Sequence, residues 1–341
     1  MVALVFSVAP IFLLIALGYL LKTRGLFTDR FWTDVERLTF YVLFPSLLVS
    51  SIGGADLGRL LDLLPMAAAL IAATLTVAAV TVAVRTRLAL APFDLDGAAF
   101  CSLFQGVTRP NTYIGLAAAF SLFGEHGLAL MAICIVAIIP LVNVLAVLVH
   151  QRWAVLVDQR GTGPSGLGHE KGGDTRLTEP LEGSQSDPRA SVGRSLMNAL
   201  KNPVVAACLI GAALNVTGFG LPPVVGPMLN ILGKGALPLG LMAVGAGLNV
   251  HALAKTPTLF VAISTIKLLI LPALTWTIAQ VVGVEGISVT VATLFAALPI
   301  SATSYVMSRQ MNGNSQLMAA LVSATTLASL LTIPIIVVVI I

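Results

Sequence analysis

Two short stretches hold the residues whose types could do chemistry in an otherwise apolar chain: Arg109-Pro110-Asn111-Thr112, and Leu298-Pro299-Ile300-Ser301-Ala302-Thr303-Ser304-Tyr305. Each puts a proline inside an apolar run of helical length. Proline withholds an amide, clashes with the carbonyl one turn earlier and disfavours helical geometry at the residue before it. Arg109 is such a residue, and it lies about eleven positions into its run, about 16 Å of helical rise, which is near the bilayer middle if the run spans a membrane. Insertion scales charge roughly 2.5 to 3.5 kcal/mol for arginine there. The pattern is read as a broken helix whose interruption forms a binding site. A structural arginine neutralised by freed carbonyls behind a kink is the plainer alternative.

Lys267 is a second cation within an apolar run, about nine residues from one edge, so its stem could also snorkel to water. All fifteen Asp and Glu fall at or near the ends of such runs. Cations without anions inside the runs favour an anionic ligand. Asn111, Thr112, Ser301 and Thr303 then offer neutral donors to carboxylate oxygens, and Pro110 and Pro299 open the backbone, although hydroxyls in membrane helices also bond their own backbone. Gln105, Asn143 and Gln280 are further polar residues that would line a cavity or bond between helices.

The elements that must position these residues follow from composition. With 57% hydrophobic and 10% charged residues in 341, and a mean hydropathy of +0.98, the chain has too little polar surface to cover a soluble globule. Ten segments approach the roughly 20 apolar residues needed to cross a bilayer. They are 3–21, 35–52, 63–84, 98–123 and 128–149, then 203–219, 228–250, 259–284, 287–307 and 317–341. Fifteen of the nineteen basic residues fall in odd-numbered connections, with Arg59 and Lys234 toward the other face. By the positive-inside rule both termini lie outside the cytoplasm and the central loop inside. No basic residue precedes the first run, whereas Lys22 and Arg24 follow it, so that run reads as a span and not as a cleaved signal.

Prolines recur about 193 residues apart: Pro10 with Pro203, Pro45 with Pro238 and Pro140 with Pro334, with Pro65/Pro257 and Pro110/Pro299 slightly shifted and Gly18/Gly211 keeping the offset. Paired prolines in helices imply paired bends. The expectation is an all-α membrane protein of ten transmembrane helices, arranged as two inverted five-helix repeats (1–150 and 201–341) about a flexible cytoplasmic linker (151–200), with broken helices 4 and 9 crossing. Such crossings expose amides and carbonyls that only a protein-lined cavity tolerates, as in many secondary transporters.

Other functions find little support. Cys101, Cys134 and Cys208 sit within runs and read as small apolar side chains, not disulfides or metal ligands. Gly161-Thr162-Gly163-Pro164-Ser165-Gly166 has the letters of a dinucleotide fingerprint without its strand and helix. The net charge of +4 reflects the loop asymmetry; the concentrated basic face that nucleic acid requires is missing. An enzyme would need nucleophile and base together, but His126, His150 and His251 lie at run ends and His169 in the linker. No cofactor or metal is expected.

Arg109 to Leu116, Asn202-Pro203-Val204-Val205, Gly235 to Leu248, Lys267 to Pro272, and Ala297 to Tyr305 followed by Met318-Ala319-Ala320-Leu321 together resemble the bacterial auxin efflux carrier family. The resemblance covers nearly the whole chain apart from the linker. It implies ten spans in two inverted repeats with crossed fourth and ninth helices, residence in a bacterial inner membrane, and transport of small organic anions such as dicarboxylates or auxin. It also implies a scaffold of the first two spans of each repeat, a mobile domain of the remaining three, and a homodimer formed through the scaffold. By position, Arg109, Pro110 and Asn111 match the first crossing, and Pro299 and Ser301 the second. Gly115-Leu116-Ala117 departs from the Gly-Leu-Pro common in the family, and Ile300-Ser301 from the second asparagine of plant members, which points to a carboxylate such as malate or malonate rather than auxin. The expected function is alternating-access transport, with potential-driven efflux as its simplest form. A cation/proton or sodium-coupled carrier of the same architecture and a non-transporting membrane sensor remain alternatives; the first would ordinarily place an Asp or Glu at the crossing.

The charge pattern is testable by fusion reporters. Alkaline phosphatase after Ile341 should be active, and green fluorescent protein within 158–194 should fluoresce; the opposite pair would invert the topology.

Overall fold

The computed structural model describes residues 2–54, 63–90, 95–154, 202–249 and 257–340, with side chains from Val8 onward. Of the linker assigned to 151–200, residues 155–200, including 158–194 and His169, lie outside these residues, as does His251, whereas 151–153 continue a helix. Among the described residues the chain is helical throughout, without strands. Eleven helices matter here: α1 (Val2–Thr23), α2 (Asp29–Gly54), α3 (Leu64–Ala83), α4 (Gly97–Thr108), α5 (Thr112–Trp153), α6 (Pro203–Thr217), α7 (Val225–Ala246), α8 (Thr258–Val281), α9 (Gly286–Ala296), α10 (Thr303–Gln310) and α11 (Ser315–Ile340).

Six of them, α2, α3, α5, α7, α8 and α11, are long and apolar enough to cross a membrane. The outer surface agrees: Leu13, Phe219, Ile231, Val281, Leu331 and Val339 are exposed, an apolar exterior suited to lipid. Buried hydroxyls are neutralised locally, as Thr74, Thr81, Thr275 and Thr293 each donate to the carbonyl four residues earlier. That gives each donor a partner in apolar surroundings, at the small cost to helix regularity that such back-bonding carries. The three cysteines are buried and free.

Proline shapes the helices in two ways. Pro10, Pro140 and Pro334 sit inside α1, α5 and α11. Pro45 and Pro272 instead follow wide π-turns, Thr39–Leu43 in α2 and Ile266–Ile270 in α8. In each the carbonyl that a proline ring would strike, that of Tyr41 or Leu268, belongs to the widened turn, which relieves the clash. A different device bends α5, whose 42 residues turn a corner at Gly124 (φ 61°, ψ −148°). The residues before this corner continue the run begun by α4, and those after it form the next run.

Packing couples the two halves of the sequence. α1 lies along α7, α2 along α6, and α3 along α8. Glycines permit the closest of these approaches. A Cβ on Gly18 would collide with the Met242 carbonyl of α7, and one on Gly245 with the Ile15 carbonyl of α1. On the companion pair, a Cβ on Gly211 would stand 2.9 Å from Ile52 Cβ and 3.2 Å from the Leu48 oxygen. Gly18 and Gly211, one repeat length apart, thus do the same work for different helix pairs, the small-residue packing that membranes favour. At the centre, the two arms of α5 are almost fully buried, from Ile114 to Ala119 and from Leu128 to Ala132, with α9 beside them.

Gly18→Val should destabilise the folded protein by about 3 kcal/mol through overpacking, read as a lowered unfolding midpoint in detergent. Gly54→Val, with open space where the Cβ would go, should leave the midpoint unchanged.

Candidate functional site

α4 stops at Thr108 because Pro110 forbids helical geometry before it; Arg109 is extended (φ −92°, ψ 116°). Asn111 restarts the helix as the N-cap of α5, its Oδ1 accepting from Tyr113 N (3.1 Å) and Ile114 N (3.4 Å). The second interruption runs from Ala297 to Ala302, between α9 and α10. Thr303, Ser304 and Tyr305 are already helical, so this break is shorter than the sequence suggested.

The two breaks meet. Pro110 and Ile300 form an isolated antiparallel bridge, in which Asn111 N donates to the Pro299 carbonyl (2.8 Å) and Ser301 N to the Arg109 carbonyl (3.4 Å). Thr325 on α11 accepts from Ile300 N at 3.1 Å. Glycines flanking the first break make room for the second: a Cβ on Gly115 would strike Leu298, and one on Gly106 would press on Ile300 at 3.2 Å.

Beside the bridge lies a cavity of about 40 Å³, room for a few waters. Arg109, Thr112, Tyr113, Ser301, Thr303 and Asn202 supply its polar wall, and Phe40, Pro110, Ile135, Ile139, Val204 and Val205 its apolar wall. Ser301 and Thr303 share a hydrogen bond of 2.8 Å between their hydroxyls. Arg109 is 9% exposed; its Nη1 donates to Met307 Sδ on α10, and its Nε has no partner. Asn111 Nδ2 and the Tyr113 hydroxyl are likewise buried and unpartnered. Tyr113 stacks on Phe44 of α2 with ring centroids 4.6 Å apart. Every one of these three orphan groups can donate a hydrogen bond, so the crossing lacks acceptors. Among the described residues the ion pairs are Lys22–Asp29 and Arg30–Asp34, which leaves the Arg109 guanidinium without a carboxylate.

Arg109, Pro110, Asn111, Thr112, Pro299, Ser301 and Thr303 are therefore brought together. Lys267 is not. It sits in the π-turn of α8, packed toward α4 and α11 and 1% exposed, and it does not line the cavity. The widened turn ahead of Pro272 turns it inward, so its stem does not snorkel to an edge. Of the other polar residues, Gln105 bonds between helices to His150 on α5, Asn143 Oδ1 is buried without a partner, and Gln280 is exposed.

Sequence reasoning missed Phe40, Tyr113, Asn202 and Met307. Asn202 carried a usable signal, since Asn-Pro opening an apolar run marks a helix cap, and its Oδ1 does cap α6 through Val204 N at 2.9 Å. Glu36, one turn before Phe40, lies within electrostatic reach of Tyr113. Among the described residues no group of three or more His, Cys, Asp or Glu could hold a metal ion.

A family described as membrane transport protein matches residues 3–337. An uncharacterized transporter from Methanothermobacter thermautotrophicus is 24% identical over 331 residues, covering 96% of this chain and 95% of the relative. With its apolar helices and that match over nearly its whole length, the chain belongs to the membrane transport protein family, that of the auxin efflux carriers.

Proposed function

We propose that this membrane transporter carries small organic anions, carboxylates such as malate or malonate, by alternating access at the crossing of the two broken helices. The observation that carries the reading is the buried, carboxylate-free Arg109 guanidinium on the wall of a small cavity, with the orphan Tyr113 hydroxyl on the same wall and the orphan Asn111 amide at the adjoining break. A buried charge without a partner costs far more than a paired one, and a carboxylate supplies both the charge and the missing acceptors. Arg109, Asn111, Thr112, Ser301 and Thr303 bind it; Pro110 and Pro299 hold the backbone open around it. Lys267, on α8, takes no direct part in this binding. The cavity described here is smaller than such a substrate, so this conformation is one from which the site must open.

Ten spans in two inverted repeats, 1–150 and 201–341 about a cytoplasmic linker at 151–200, best fit the paired roles of Gly18 and Gly211 and the exchanged pairings α1–α7 and α6–α2. In this reading α1, α2, α6 and α7 form the scaffold through which two copies associate in the membrane, with both termini on the non-cytoplasmic side. The remaining helices carry the site past them. An inside-negative potential is worth about 2.3 kcal/mol per charge per 100 mV, so it drives a dianion outward by about 4.6 kcal/mol, a gradient of over a thousandfold. Efflux then needs no further coupling. Glu36 gives the cation-coupled alternative its one foothold near the cavity, but it stands on α2 and not at either break.

Currents on a solid-supported membrane, stepped through malonate, malate, succinate and indole-3-acetate, test this. Saturable current with at least one carboxylate is expected, and Arg109→Gln should weaken binding on the order of 100-fold while keeping its unfolding midpoint. Wild-type affinity in that variant would reduce Arg109 to a structural role. Retained binding without current would point to a sensor.

A further inference from the structure

His150 on α5 is 2% exposed and used by nothing described so far. Its Nδ1 lies 2.7 Å from the Ala146 carbonyl. A carbonyl only accepts, so Nδ1 carries a hydrogen and Nε2 of the neutral ring is bare. Gln105 Nε2 on α4 lies 3.0 Å from that bare nitrogen and donates to it, which leaves Gln105 Oε1 buried without a partner. The neutral pair is therefore one acceptor in excess. A proton on His150 Nε2 makes it a donor, and a half-turn of the Gln105 amide presents Oε1 to receive it. The charged ring would then find two acceptors already in place, Ala146 O and Gln105 Oε1.

Burial opposes this proton in the empty protein, and so does a neighbouring charge. Arg109 lies one turn beyond Gln105, its amide bonded to the Gln105 carbonyl at 2.9 Å, and it acts electrostatically on His150. Arg85 stands 5.5 Å from the Phe100 ring and 5.4 Å from that of Trp153. Arg152 is on α5 itself, Cys101 of α4 bonds the Val149 carbonyl at 3.7 Å, and α3 carries no ionisable residue. Arg109 is thus the described charge that acts on the imidazole, whereas Arg85 and the Asp96 carboxylate both act on the neighbouring Cys101. An anion against Arg109 cancels that charge.

We infer that His150 is a proton-binding site coupled through Gln105 to the anion at the crossing, so that anion and proton bind together. The inference rests on the crossing being an anion site, as proposed above. Linkage makes the coupling reciprocal: if the anion favours the proton, the proton favours the anion by the same factor. For a dianion the cotransported proton halves the charge moved, and it lets a pH difference as well as the membrane potential set the direction of transport.

Proton uptake on binding is the direct readout. Malonate is titrated into the purified full chain in weak buffer with a pH indicator, at about pH 7.5, where malonate is a dianion. The wild type should take up a proton, up to one per malonate bound, and its affinity should fall by up to about tenfold per pH unit through the titration. His150→Gln, fixed in the uncharged form, should bind malonate without uptake and with a flat pH profile, about as tightly as the wild type does at high pH and up to about tenfold more weakly than the wild type at pH 7.5. Gln105→Leu, which removes the waiting acceptor, should also lose uptake, and Glu36→Gln should keep it. Uptake that persists in His150→Gln, or vanishes only in Glu36→Gln, overturns the assignment and leaves the anion site standing; so does malonate binding by the wild type without uptake. No binding of any carboxylate removes the anion reading and this one together. Should His150→Gln fail to fold, ¹⁵N-histidine spectra of the wild type replace it: one of the four histidines should change protonation at Nε2 on adding malonate at fixed pH, and no response overturns the proposal.

Discussion

Inside a bilayer a backbone amide or carbonyl without a partner costs several kcal/mol, and a broken helix creates several at once. Everything around the crossing answers that constraint. The break at Arg109-Pro110-Asn111 and the break at Ala297 to Ala302 satisfy each other through the Pro110–Ile300 bridge. Thr325 receives the Ile300 amide, Asn111 caps α5 with its own side chain, and Gly106 and Gly115 give Ile300 and Leu298 the space to enter. Neither interruption is tenable alone. The Arg109 Nε, the Asn111 amide and the Tyr113 hydroxyl are left over, each able to donate a hydrogen bond.

Long apolar runs and prolines made most of the architecture legible in advance. A described helix overlaps each of the ten expected runs, though six of the described helices are long and apolar enough to cross a membrane, and the proline in each interrupted run marked its break to within a few residues. Arg109 stood out because arginine is costly where it lies. The rest depends on contacts between residues distant in sequence. Phe40 and Asn202 reach the cavity wall because α2 and α6 pack together beside α5, and no local pattern encodes that. Gln105 and His150 are separated by 45 residues and meet only because α5 returns along α4. Lys267 shows the limit from the other side: its distance from the edge allowed snorkelling, and a widened turn, invisible in composition, turned it inward.

Tight and adjustable contacts divide the molecule unevenly. Gly18 and Gly245 bring backbone against backbone between α1 and α7, an interface with little freedom to slide. Around the cavity, by contrast, the contacts are side chains: the Tyr113–Phe44 stack, Met307 beneath Arg109, Val204 and Val205 opposite Ile135. Side chains can change rotamer without breaking a ladder of hydrogen bonds, so a displacement would cost less on this side than between α1 and α7.

The π-turn in α2 makes chain length a sensitive quantity. One such turn holds one residue more than an α-helical turn, and each residue of an α-helix advances about 100° around its axis. Residues on either side of Thr39–Leu43 are therefore out of phase by about that angle. A single deletion in this segment would restore a regular helix and at the same time rotate Trp32 and Glu36 away from their present faces, without altering one apolar side chain. Relatives aligned through Pro45 should accordingly be compared by helical phase and not by hydrophobicity, because two sequences equally greasy here but differing by one residue would present different faces to the cavity.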